Sequence, residues 1–93
     1  MESPPEKQEG KRSLEELKER ASLILNLPKE TKLRQDFVEF ARKYSPSSAY
    51  KKALGLSNQY FVIETALEHA EACRFLAVIK RDYGSDVLEE VVG

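Results

Sequence analysis

The chain has no tryptophan, and among its 93 residues only one cysteine, one methionine and one histidine. The lone Cys73 excludes an internal disulfide framework and suits a reducing compartment. No apolar run approaches the ~20 residues that span a bilayer, and the opening stretch MESPPEKQEGKR has no apolar core of the signal-peptide kind. These absences predict a cytoplasmic protein without membrane contact. A glycine-rich phosphate loop, a nucleophile elbow and a Glu-x-x-His metal motif are also missing. The chain is therefore read as non-enzymatic, with no cofactor and no metal.

Hydrophobic residues make up 41% and charged residues 33%, the balance of an ordered globular protein rather than a disordered one. Met1 to Arg12 has two prolines, a glycine and mixed charge without periodicity, and is expected to be a disordered polar tail; residues 13–93 are expected to form one helical domain. That is near the lower end of what one core can stabilise alone, so dimerisation would help.

The net charge of −1 conceals an uneven distribution. From Lys29 to Lys52 the seven basic residues Lys29, Lys32, Arg34, Arg42, Lys43, Lys51 and Lys52 face Glu30, Asp36 and Glu39, a local excess of +4. From Ser57 to Cys73 the only charged residues are Glu64, Glu68 and Glu71, giving −3. Such a basic block can attract a polyanion, or it can be a solvated helix face in which Lys32–Asp36 and Glu39–Lys43 pair at i, i+4.

Helical periodicity organises the middle of the chain. Ser13 followed by Glu16 is a capping box, and Leu14, Leu17, Ala21 and Ile24 give one apolar face that should end near Asn26, before Leu27–Pro28. A second helix is expected from about Glu30 to Tyr44, burying Leu33, Phe37, Phe40, Ala41 and Tyr44. Ser45–Pro46 then starts a short third helix that should stop near Leu54. A fourth is expected to begin at Ser57, with Tyr60, Ile63, Leu67, Ala70 and Ala66 inward and Asn58, Gln59, Val62, Thr65 and His69 outward.

The stretch Ala49–Leu67, AYKKALGLSNQYFVIETAL, carries the functional signal. Gly55 can take the left-handed conformation that ends a helix after Leu54, Leu56 can tuck between two helices, and Ser57 can cap the next one. The Leu54-Gly55-Leu56-Ser57 turn resembles that of small bacterial and archaeal helix-turn-helix and winged-helix DNA-binding regulators. The family's usual small alanine, four residues before the glycine, is replaced here by Lys51, with Ala49 and Ala53 on either side. The glycine-based register would bury Phe61, whereas apolar periodicity chooses Tyr60 and Ile63.

The resemblance implies a mainly α fold with a helix-turn-helix core, an extra N-terminal helix and a C-terminal β-hairpin wing. Over residues 74–92 the β-branched and aromatic content favours the wing. The absence of a breaker between Thr65 and Lys80 favours a continued helix and an all-α four-helix bundle. The resemblance also implies double-stranded DNA as partner, bound by a homodimer acting as a repressor, partition-site or architectural factor. Asn58, Gln59, Val62 and Thr65 would read bases. Arg42, Lys43, Ser45, Ser47, Ser48, Lys51, Lys52, Ser57, Lys80 and Arg81 would contact phosphates. The alternative is a helical adaptor or accessory subunit that docks on a larger protein, with Tyr44, Tyr50, Tyr60 and Tyr83 as candidate anchors. His69 and Cys73, at i, i+4, are two plausible metal ligands without a third, better read as a packed thiol beside a partly exposed imidazole.

Overall fold

A computed structural model describes residues 12–93; the tail expected over 1–12 lies, except for Arg12, outside the described residues. The elements are α1 (Leu14–Arg20), α2 (Ser22–Leu25), α3 (Lys32–Lys43), α4 (Pro46–Ser57), α5 (Ile63–Tyr83) and α6 (Ser85–Val92). There is no strand among the described residues. The expected wing is therefore corrected to helix: Arg74 to Tyr83 continue α5, and Ser85 to Val92 form α6. The five consecutive residues Phe75, Leu76, Ala77, Val78 and Ile79 are all buried, which in a helix means burial around the whole circumference. The other five helices all pack against α5. A continuous apolar run cannot by itself separate a buried strand from a fully sheathed helix, and the uninterrupted chain from Thr65 onward decides it.

The N-terminal capping signal is realised, with the Ser13 hydroxyl accepting the Glu16 N–H at 3.1 Å. The first helix breaks at Ala21 into two short segments, yet Leu17, Ala21 and Ile24 stay fully buried. Thr31 caps α3 from both sides, accepting the Arg34 N–H at 3.4 Å and donating to the Pro28 carbonyl at 2.8 Å. Phe37, Val38 and Ala41 of α3 enter the core, with Leu33, Phe40 and Tyr44 packed at its margin. On α4 the buried residues are Ala49, Ala53 and Ser57, a stripe of small side chains at i, i+4 and i+8 that lets this helix approach α5 closely. Lys51 is exposed, so the small-residue contact expected around it is made by its neighbours two positions away.

Two cations act as internal ties. Arg34 is 5% exposed; its Nε donates to the Ile24 carbonyl at 3.3 Å and its Nη2 to the Val92 carbonyl at 3.1 Å. Both acceptors lie in last turns of helices, at the negative end of the dipole, and the Ile24 carbonyl also accepts the Leu27 N–H at 3.0 Å. Arg34 thus joins α2, α3 and α6. Lys80 of α5 does the same for the end of α3, donating to the carbonyls of Arg42 at 2.8 Å and Tyr44 at 3.3 Å. Between α5 and α6 the chain turns at Gly84, whose φ of 103° and ψ of 160° are accessible without strain only to glycine.

Replacing Arg34 by Met should remove both main-chain ties and lower the unfolding free energy by about 3 kcal/mol. Arg34→Lys should recover only part of it, because an ammonium lacks the fork that reaches two carbonyls. Urea unfolding followed by circular dichroism checks both, and an Arg34→Met variant as stable as the parent would contradict the assignment.

Candidate functional site

The corner between α4 and α5 is built by backbone bonds and not by a glycine stop. Gly55 lies inside α4, its φ is not positive, and nothing sits within 4 Å of the place its Cβ would occupy. The helix continues to Ser57. There the Asn58 N–H donates to Leu54 and the Gln59 N–H to Leu56, both at 3.0 Å, while Tyr60 and Phe61 both donate to the Ser57 carbonyl at 2.9 Å. The Ser57 side chain, expected to cap the next helix, is fully buried at the end of α4, and its Oγ has no hydrogen-bond partner among the described residues. The next helix begins only at Ile63, after Val62 in extended conformation.

This shift moves every residue expected to read bases. Asn58 and Gln59 are exposed on the connecting turn, Val62 precedes the helix, and of the four only Thr65 lies on α5, half-buried. The helix-turn-helix corner centred on residue 55 is corrected accordingly: a glycine in a helix interior costs only about 1 kcal/mol, which the flanking Leu54, Leu56 and buried Ser57 offset by packing.

Of the residues expected to contact phosphate, Lys52 and Lys80 both approach Tyr44, while Arg42, Lys43 and Arg81 are paired with carboxylates. Ser45 caps α4 without a side-chain bond, Ser47 and Ser48 are exposed in its first turn, and Lys51 and Lys52 are exposed along it. The Lys52 ammonium stands 4.8 Å from the centre of the Tyr44 ring. Arg42 forms a two-pronged pair with Glu89 at 2.7 and 2.8 Å, and Lys43 pairs with Glu39 at 3.2 Å. Hydrogen bonding to Arg42 holds the Glu89 carboxyl below its ordinary range, and bonding first to Lys43 does the same for Glu39. Lys80 is occupied by the α3 carbonyls and Arg81 by Asp82 at 2.9 Å. These last two sit about 25 Å along α5 from Ile63, too far to act with the corner.

His69 and Cys73 are buried with separate partners. The imidazole, expected on the outer face, is 6% exposed; its Nδ1–H donates to the Thr65 carbonyl at 3.0 Å. Its ring stacks on Phe61 at 4.2 Å between centroids and on Phe37 at 5.9 Å. The Cys73 thiol donates to the Phe37 carbonyl at 3.3 Å, and burial pushes its pKa up to about 12. No three His, Cys, Asp or Glu side chains gather as metal ligands among the described residues. Phe61, which the glycine-based register would bury within a helix, is half-buried in the turn before α5 and meets the His69 ring from there.

Ala66 and Ala70 are buried as expected, but Tyr60, Ile63 and Leu67, also expected inside, are exposed, beside Val62, which was expected outside. Tyr60 is 62% exposed, Val62 73%, Ile63 57% and Leu67 40%. No protein-family model matches the chain, and neither does any curated protein or solved structure. The site is therefore defined by its own geometry. It is an apolar face formed by the 58–62 turn and the first two turns of α5, adjoining the exposed Glu64 and Glu68. No helix among the described residues is long and apolar enough to cross a membrane.

Gly55→Ala should stabilise the protein by about 0.5–1 kcal/mol, since alanine suits a helix interior with open space. Ser57→Ala should be neutral or mildly stabilising, because it deletes an unpaired buried hydroxyl; a true cap would cost about 1 kcal/mol. Thermal unfolding of both variants distinguishes the two geometries.

Cys73 should label with a thiol reagent only as fast as the protein opens. With a folded pKa raised from 9.0 to about 12, the stability gained by burying the neutral thiol is complete below pH 9 and is lost as pH rises toward 12. Rapid labelling of the native protein at pH 8 would contradict this burial.

Proposed function

We propose that this protein is a non-enzymatic helical adaptor or accessory subunit that docks on a larger protein through the face formed by Tyr60, Val62, Ile63 and Leu67. One observation carries the reading: four large exposed apolar side chains fall within residues 60–67 at one corner, while the apolar residues of the core are closed off around α5. Single exposed apolar side chains are ordinary, but a clustered set next to a rigid helix is the usual mark of an interaction surface. Covering each of Val62, Ile63 and Leu67 would contribute about 1–2 kcal/mol, enough in sum for specific association.

Of the tyrosines expected as anchors, only Tyr60 is free to serve. Tyr44 lies at the core margin beneath Lys52, Tyr50 packs against the core, and the Tyr83 hydroxyl donates to the Arg12 carbonyl at 2.6 Å. Five of the basic residues, Arg34, Arg42, Lys43, Lys80 and Arg81, have internal partners and need no polyanion.

The test uses the full chain as bait, followed by reconstitution of any captured partner from purified components. Ile63→Glu combined with Leu67→Glu should weaken the reconstituted complex at least ~30-fold, from two lost apolar contacts, while leaving helix content unchanged. A complex indifferent to that double substitution would overturn the assignment of this face.

A further inference from the structure

The chemistry around the exposed face points to the kind of partner it fits. Between Ala53 and Cys73 the sequence contains no lysine or arginine, although the chain has 15 elsewhere. Glu64 and Glu68 are exposed, stand one turn apart, and make no ion pair among the described residues; Glu71, the next in the row, pairs with Arg74. Ile63 and Leu67 are likewise one turn apart on α5, so an apolar ridge and an acidic row run side by side along the same two turns. Tyr60 and Val62, on the turn before the helix, extend the apolar ridge beyond its end.

Resting on the adaptor reading, we propose that the occupant of this face is a basic amphipathic helix of another protein. Its apolar side chains would pack over Val62, Ile63 and Leu67, and its flanking lysines or arginines would meet Glu64 and Glu68. An i, i+4 ridge receives another helix by interdigitation, which favours a helical occupant over an extended one. The charge argues against a second copy of this chain seated on the same face. A two-fold contact would set Glu64 and Glu68 of one protomer close to those of its partner, with no basic residue from Ala53 to Cys73 to relieve the repulsion.

Two synthetic helical peptides with the same leucine ridge, one flanked by lysines and the other by glutamates, test this by fluorescence anisotropy and amide chemical-shift mapping on the full chain. The lysine peptide should bind at least about tenfold tighter, lose affinity as salt is raised, and shift the amides of residues 60–68. Glu64→Lys with Glu68→Lys should reverse the preference without changing the circular dichroism spectrum. Equal binding of both peptides, or a preference that survives the charge reversal, overturns the basic-partner inference and leaves the docking face intact. Binding of neither peptide overturns the helical occupant. Sedimentation showing a dimer that is dissociated by Ile63→Glu would overturn both this inference and the adaptor assignment, by placing a second copy on the face.

Discussion

A helix that is apolar around its whole circumference persists only where other elements sheath it, and that demand on α5 organises the rest of the chain. From Ala66 to Ile79 most of its side chains are buried, and α1, α2, α3, α4 and α6 supply the cover. None of those helices could bury so much surface alone; several are only one or two turns long. α5 is about 30 Å long, and in its first two turns the sheath covers only the side that carries Ala66, His69 and Ala70. The apolar face at Val62, Ile63 and Leu67 is where a core helix emerges from its cover, so the candidate site is a direct product of how the core is built.

Legibility in the sequence followed the strength of local signals. Ser13 with Glu16, and Ser45 with Pro46, marked helix starts that appear within a residue of their expected places, because capping and proline chemistry act through the nearest backbone groups. The α3 face at Phe37 and Ala41 was likewise legible from its period. The corner was not. Gly55 and Ser57 have the right chemistry for a stop and a cap, but Ala49, Ala53 and Ser57 form a small-residue stripe whose close packing on α5 outweighs the helix penalty of one glycine. Extending α4 by three residues moved the next helix start to Ile63, and the inward and outward assignments of Tyr60, Ile63, Leu67 and His69 changed with it. The 74–92 region was ambiguous because β-branched residues mark both strands and sheathed helices.

The charged residues illustrate how a sequence-level excess can be absorbed inside a fold. The basic block from Lys29 to Lys52 looks like a surface for a polyanion, yet Arg34 is buried and Arg42 and Lys43 answer Glu89 and Glu39. Lys51 and Lys52 stay exposed on α4, and on α5 the exposed Glu64 and Glu68 make no ion pair among the described residues.

The Arg34 tie has a further consequence for how the fold tolerates change. Its two acceptors are peptide oxygens of Ile24 and Val92, present whatever side chain stands at those positions. Genetic drift at either acceptor can alter packing but cannot delete the oxygen that receives the bond. The donor has no such protection. One codon therefore carries the entire vulnerability of a junction that joins three helices.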